Sequence, residues 1–226
     1  IGNIKKILQK ITEKVNEREY SEWNKQIDEW KKAYPLKSRT KGQLKPSYIL
    51  ERMYELTEGK AVITTEVGQH QIWAAQFYKY TSPRQFLSSG GLGTMGYGLG
   101  ASIGAQIGLA DKKVINVAGD GSFRMNCNEL ATAVEYKLPV VVAIFNNHAL
   151  GMVRQWQNLF YDARYSATTI DRGTDFVALA KAYGAIGINV TKQEEVDDAL
   201  KEALASKDTP VVINFEIDKD DKVFPI

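Results

Sequence analysis

Cysteine occurs once in these 226 residues, at Cys127, and histidine twice, at His70 and His148. A lone cysteine excludes an internal disulfide and fits a reducing compartment. It falls early in an expected helix, where it reads as a packing residue. Two distant histidines without a cysteine cluster argue against a zinc site. Long apolar runs are missing as well. There is no leading apolar block and no run of membrane-spanning length, so a soluble, intracellular, cytoplasmic protein with no membrane partner is expected. Charge of one sign is also scarce: the net value is +2, which gives no electrostatic case for nucleic acid. The distribution is uneven, with 14 Lys and Arg against 9 Asp and Glu in the first 60 residues and 15 against 18 in the remainder. A lysine-rich opening of this kind is expected to be a solvated helical face. Internal repeats and low-complexity segments are absent.

The length suits one substantial domain with an appendage. Its centre is the stretch Gly119-Asp120-Gly121-Ser122-Phe123 through Asn146-Asn147. Val114–Ala118 before it is short and β-branched, as a buried strand should be. Residues 126–136 have helical spacing, with Leu130, Ala133, Val134 and Lys137 dividing a packed from a wet face. Pro139 stops that helix, and Val140–Phe145 reads as a second buried strand. Asp120 and Asn147 therefore sit past the carboxyl ends of two strands joined by a crossover helix, where open parallel sheets bind ligands. A carboxylate and an amide carbonyl are hard oxygen donors suited to magnesium or calcium, which draw their remaining ligands from phosphate and water. Gly119 and Gly121 let the backbone approach a diphosphate. Singly, Gly-Asp-Gly is as consistent with a tight turn, and Asn-Asn with a loop. Jointly they favour a metal site.

Elsewhere, Ile4, Ile7, Leu8, Ile11 and Val15 form a helical stripe in residues 1–19, expected to be a remnant of a preceding domain. Tyr20, Trp23, Ile27, Trp30 and Tyr34 line a second helix that Ser21 could cap, with the aromatic face suited to docking. Residues 20–45 are expected to be a helical linker, its end from Pro35 to Lys45 polar and basic. The main domain, 46–226, opens with Pro46 in the first turn of a helix bearing Ile49, Leu50, Met53 and Leu56. Ala61–Val67 reads as a strand ending at Gly68, so Gly68, Gln69 and His70 lie at its carboxyl end beside a helix start with free amides. His70 is equally consistent with a satisfied helix-start histidine. Gly91, Gly93 and Gly96 match the dinucleotide fingerprint GxGxxG. The acidic residue that fingerprint requires would be Asp120, 24 positions after Gly96, which the metal reading uses better. Gly100, Gly104 and Gly108, with Ala101 and Ala105, give a small-residue helix face for packing on the sheet or a partner subunit. Met152, Gln155 and Trp156 share one side of a helix that starts at the metal site, so that side could be core or pocket wall. A helix at 175–183, strand Ile186–Val190, a capping box of Thr191 and Glu194, and strand Val211–Glu216 follow. Strands alternating with helices predict an α/β fold, a doubly wound parallel sheet with helices on both faces, preceded by N-terminal helices.

Gly-Asp-Gly, helix, strand and Asn-Asn resemble the cofactor motif of thiamine diphosphate enzymes. Leu150-Gly151-Met152-Val153-Arg154-Gln155-Trp156-Gln157, Leu159-Phe160-Tyr161 and Arg164-Tyr165-Ser166 are similar to the biosynthetic acetolactate synthase (acetohydroxyacid synthase) large subunit. Val67-Gly68-Gln69-His70-Gln71-Ile72-Trp73 and the run Ser89 to Gly98 agree. The likeness spans nearly the whole chain and the last third or so of a family member. It implies condensation of two pyruvates, or of pyruvate with 2-oxobutanoate, in branched-chain amino acid biosynthesis, dependent on thiamine diphosphate and Mg²⁺. Asp120, Asn147 and the Ala149 carbonyl would ligate the metal. Val67, Gly68, Gln69, His70, Gly121 and Ser122 would hold the diphosphate end, and Gly93, Met95, Gly151 and Met152 the rest of the cofactor. Met95, Met152 and Trp156 would stand at the catalytic centre, Trp156 shaping the second-substrate pocket. The family also implies a flavoprotein, with FAD bound mostly outside this chain, and a homodimer or tetramer; a regulatory small subunit stays open. Its activating glutamate belongs to an N-terminal domain of the facing subunit, absent here, and the chain stops short of family members at Phe224-Pro225-Ile226. The piece alone is therefore expected to make no acetolactate. A related thiamine enzyme (an oxidase, a decarboxylase or another carboligase), a dinucleotide-binding oxidoreductase and a non-enzymatic interaction module are the alternatives.

Overall fold

The computed structural model describes residues 1–36, 44–170 and 173–224. The chain divides into two units, residues 1–37 and 38–226. In the first, Asn3 accepts from the Lys6 amide and starts α1 (Ile4–Thr12). Helix α2 (Ser21–Ala33) follows, with Trp23 and Trp30 edge to face at 5.6 Å. The cap expected of Ser21 is missing, because Ser21 is itself the first helical residue and Tyr20 before it makes no side-chain cap. Neither helix buries a residue. Most of the expected 35–45 linker falls outside the described residues.

The second unit is built on six short strands: β1 (Val62–Thr65), β2 (Phe86–Ser88), β3 (Val114–Gly119), β4 (Val141–Asn146), β5 (Ile186–Val190) and β6 (Val211–Glu216). They pair in the order β2-β1-β3-β4-β6-β5, and every pairing is parallel. Strands β1, β3 and β4 are buried throughout, which is why their sequences are continuous apolar runs. Successive side chains point to opposite faces. Ile63, Ile115, Val117, Ala143, Phe145 and Ile213 meet α3 (Pro46–Leu56), α4 (Gln69–Phe77) and α10 (Val196–Ala205) through Ile49, Leu50, Met53, Trp73, Val196 and Leu200. Val114, Ala118, Val142, Ile144 and Val212 face the other way. There they meet α5 (Tyr97–Gly108), α7 (Leu130–Glu135) and α9 (Phe176–Ala182) through Leu99, Leu130, Ala133, Phe176 and Ala180. Each fully buried Leu, Ile or Phe contributes roughly 1.5–3 kcal/mol of transfer free energy. The sheet is doubly wound, as its sequence pattern predicts.

Several local expectations are corrected. The crossover from β3 is no single helix over 126–136. It begins at once as α6 (Asp120–Phe123), passes through a 3₁₀ turn (Cys127–Glu129) and only then becomes α7. The Asn126 side chain causes the break by donating to the Gly96 carbonyl at 2.9 Å. Before α10 the N-terminal cap is set by Glu195, not Glu194; its carboxylate accepts from the Thr191 and Lys192 amides at 2.9 and 3.1 Å. On α5 the glycines expected on the small-residue face do not meet the sheet, although Ala105 packs against the core beneath it. A side-chain carbon at Gly100, Gly104 or Gly108 would touch nothing within 4 Å, whereas one at Gly98 would lie 2.4 Å from Asn116 Oδ1 and 2.7 Å from the Glu66 amide. Gly98 is thus the residue that seats α5 on β1 and β3. Strand β2, at the sheet edge, adds to the strands expected from the pattern. Among the described residues no helix is long and apolar enough to cross a membrane.

Candidate active site

A cavity of about 110 Å³ opens at the carboxyl end of the sheet, where β1, β3 and β4 stop and α4, α6 and α8 (Gly151–Phe160) begin. β3 and β4 are neighbours in register, Gly119 opposite Phe145, so Asp120 and Asn147 leave the sheet side by side. Both line the cavity, with Ala149. So do Val67, Gly68, Gln69 and His70 from the β1–α4 junction, Gly121 and Ser122 from α6, and Gly151 and Met152 from α8. Met95 reaches it from the loop before α5. Of the residues expected at the site, Gly93 and Trp156 are not among the lining. Gly93 sits behind Val67, and Trp156 is 53% exposed while its neighbour Gln155 is 2% exposed. The helix face expected to carry Met152, Gln155 and Trp156 together is therefore split. Met152 turns to the cavity, Gln155 inward and Trp156 to solvent.

Asp120 is 1% exposed, and its Oδ2 has no hydrogen-bond partner. Burial drives its pKa up from 3.8 to about 6, against the pull of Arg124, His148 and two backbone amides. A buried carboxylate oxygen left without a donor is costly unless a cation meets it. Asn147 belongs to a turn held from several sides. Its Oδ1 accepts from the Ala149 amide at 3.1 Å, and His148, in the left-handed region at φ 52°, bonds Glu216 through Nε2 at 2.8 Å. Asn146 is the brace of this turn: its Oδ1 accepts from the His148 amide and its Nδ2 donates to Glu216. Carboxylate, amide oxygen and backbone carbonyl form a hard-oxygen donor set fit for Mg²⁺ and short of its full coordination, which leaves positions for phosphate. Among the described residues no three His, Cys, Asp or Glu side chains cluster as a metal site.

His70 is wedged between two glycines. A side-chain carbon at Gly68 would lie 2.8 Å from its ring, and one at Gly119 likewise 2.8 Å. The ring is buried, its Nε2 unpartnered, and burial pushes its pKa down to about 3, so it is neutral when the cavity holds no anion. The first amides of α4 and α8 have no intrahelical carbonyl to meet and lie at the same cavity, a setting that suits phosphate. Glu66, fully buried, ties the Met95 loop in place: it accepts from the Gly96 amide at 2.6 Å and the Leu99 amide at 3.0 Å. Burial raises its pKa, with those amides opposing.

Sequence reasoning missed Trp73 and Phe145, which pack at 6.5 Å and form the apolar floor of the cavity. Trp73 stands three residues after His70, a helical spacing that could have found it; Phe145 looks like any core residue. The structure also weighs on the dinucleotide fingerprint. Its glycines do lie between a strand, β2, and a helix, α5, but the following strand β3 is not beside β2, because β1 lies between them. The adjacent-strand unit the fingerprint needs is absent.

The family model described as thiamine pyrophosphate enzyme, C-terminal TPP binding domain, matches residues 66–215. The chain is 39% identical to the acetolactate synthase large subunit of Haemophilus influenzae over 233 residues, covering all of this chain and 41% of that protein. It is 38% identical to the Escherichia coli acetolactate synthase isozyme 3 large subunit, with the same coverage. Against the mitochondrial acetolactate synthase catalytic subunit of Saccharomyces cerevisiae it is 44% identical, covering 99% of this chain and 33% of the relative. The chain thus spans about two fifths or less of the length of these relatives.

Proposed function

The chain belongs to the thiamine pyrophosphate enzymes, by their C-terminal TPP-binding domain, and from that premise we propose that it is the cofactor-binding part of an acetolactate synthase. In this reading the whole protein joins two pyruvates, or pyruvate and 2-oxobutanoate, in branched-chain amino acid biosynthesis. The observation that carries it is the unpartnered Asp120 Oδ2 beside Asn147 at the ends of adjacent strands, in a cavity bordered by glycines and helix-starting amides.

When bound, the thiazolium supplies an electron sink for decarboxylating a 2-oxo acid. The protein's own groups bind, orient and shield. Asp120 and Asn147 hold Mg²⁺ through side-chain oxygens and Ala149 through its carbonyl. Gly68, Gln69, Gly121 and Ser122 receive the diphosphate, and an anion there returns to the His70 ring the charge stabilisation it lacks. Val67, Met95, Gly151 and Met152 wall the apolar part, and Trp73 and Phe145 keep water from its floor. Gly93 supports the Met95 loop, and Trp156, exposed in this chain, faces the second substrate. The remaining elements of the reading are a dimer or tetramer, a regulatory small subunit, FAD bound by other parts of the protein and a cytoplasmic setting.

Calorimetric titration with Mg²⁺ and thiamine diphosphate tests the site. We expect saturable binding by the wild-type protein and none by Asp120→Ala, with both melting cooperatively. Equal affinity in the variant would remove Asp120 from the site, and saturable NADH binding in its place would favour the dinucleotide reading.

A further inference from the structure

Gln155 is an amide on an amphipathic helix, yet it is 2% exposed and lies off the cavity that Met152 lines. Its two ends are occupied in a fixed sense by the main chain of Val223. The Val223 amide donates to Gln155 Oε1 at 3.0 Å, and Gln155 Nε2 donates to the Val223 carbonyl at 2.9 Å. A peptide group cannot exchange its donor for its acceptor, so this pair sets which end of Gln155 is oxygen. The same Oε1 also accepts from Gln69 Nε2 at 2.7 Å, and Gln69 Nε2 donates further to the Asp221 carbonyl at 3.0 Å. Gln69, 4% exposed, is thereby fixed with its Oε1 turned to the other side, where it accepts from Asn147 Nδ2 at 3.3 Å. An asparagine whose nitrogen is held in this way presents its oxygen to the opposite side.

Resting on the reading of Asn147 as a Mg²⁺ ligand, the geometry assigns Gln155 as a positioning residue: through Gln69 it holds the nitrogen of the Asn147 amide, as the Ala149 amide holds its oxygen, so that oxygen, not nitrogen, meets the cation. The Val223 peptide, 76 residues along the chain from the ligand, acts together with the Asp221 carbonyl, which also takes Gln69 Nε2, and the Ala149 amide, which also meets Asn147 Oδ1. The chain of amides is buried from end to end, Asn147 at 6% and Val223 at 2% exposure. Close packing keeps the relay narrow: a side-chain carbon at Gly151 would lie 2.0 Å from Gln69 Oε1 and 2.6 Å from Asn147 Nδ2. Hydrogen-bond partners of this kind, behind a metal ligand, typically govern affinity by 10–100-fold.

The test is Mn²⁺ binding followed by electron paramagnetic resonance in the presence of thiamine diphosphate, with thermal melting recorded beside it. Gln155→Met keeps length and removes both amide ends; we expect Mn²⁺ affinity to fall roughly tenfold. Gln155→Glu keeps the oxygen that Gln69 needs and should stay within about threefold of wild type by the same reasoning. The distinguishing arm uses Asn147→Asp, whose two oxygens are equivalent and carry no orientation. In that background Gln155→Met should cost nothing, or raise affinity by freeing Gln69 to turn its nitrogen to the new carboxylate. Three results would overturn the assignment: unchanged affinity in Gln155→Met alone, a loss in Gln155→Glu matching that of Gln155→Met, or the same loss from Gln155→Met with and without Asn147→Asp. Failure of the wild-type protein to bind Mn²⁺ would overturn the proposed function with it, whereas wild-type binding with any of those three results overturns this inference alone. If Gln155→Met does not melt cooperatively, Gln155→Leu takes its place, alone and with Asn147→Asp, with the same expected loss and the same overturning results.

Discussion

Asp120→Asn exchanges a buried, half-partnered carboxylate for a neutral amide of the same shape, and its effect on the metal-free protein follows from the raised pKa. The folded-state value of about 6 against 3.8 means that between those pH values the folded protein holds a proton that the unfolded chain has released. Stability contributed by that proton is complete below pH 3.8 and is lost as pH rises through 6. The shift is worth about 3 kcal/mol in all, and about 2 kcal/mol of it is lost between pH 4.5 and 8. Asparagine carries no such penalty. The stability of Asp120→Asn relative to wild type should therefore rise by about 2 kcal/mol over that interval, or about 4–8 °C in Tm for a chain of this size. Other shifted groups, His70 and Glu66 among them, are common to both proteins and cancel in the difference. The assay is urea unfolding of each protein in EDTA at pH 4.5, 6 and 8. Adding Mg²⁺ and thiamine diphosphate at a hundredfold excess over Kd at pH 8 should then stabilise wild type by about 2.7 kcal/mol and leave the variant unmoved, reversing or closing the gap. A stability difference that stays constant with pH would show that Asp120 is not an ionised, desolvated group, and the metal argument built on its bare Oδ2 would go with it.

Two further substitutions probe the scaffold. Gly98→Ala would put a carbon 2.4 Å from Asn116 Oδ1 and 2.7 Å from the Glu66 amide; α5 must lift off the sheet, so a loss of about 1–3 kcal/mol or more is expected in denaturant unfolding, and a Tm equal to wild type would show that the helix seat is loose. Leu130→Ala empties a site of 0% exposure at the start of α7, with an expected loss of about 2–5 kcal/mol; less than 1 kcal/mol, roughly, would mean that the break before α7 lets the helix collapse into the void.

The sequence pattern revealed most where burial alone decides the outcome. Strands β5 and β6 begin and end where expected, because continuous or alternating apolar residues flanked by turns leave little choice. The Asp120–Asn147 pairing was legible for the same reason: two apolar strands joined by one crossover must bring their ends together. What escaped depends on partners far away in the chain. Strand β2 is three half-buried residues at the sheet edge, too short for a period, and is held through Gln85, whose Nε2 donates to the Ala61 carbonyl. Asn126 looks like a helix residue until Gly96 claims its side chain. Gln155 reads as part of one helix side shared with Met152 and Trp156, core or pocket wall, and only Val223, from far along the chain, supplies the two partners that hold its amide off the cavity. Trp156 follows the reverse course: its apolar bulk predicts a pocket, and its neighbours in this chain leave it in solvent.

The position of β6 between β4 and β5 carries a consequence for the order of events during synthesis. β5 leaves the ribosome before β6 and has no strand to pair with until β6 arrives, while β4 meanwhile shows an open edge. The last-made strand must then insert between two earlier ones, and such non-local closure is slow. During that wait both edges are exposed to other chains. Loss of β6 would accordingly divide the sheet in two, where loss of a strand at its rim would only shorten it.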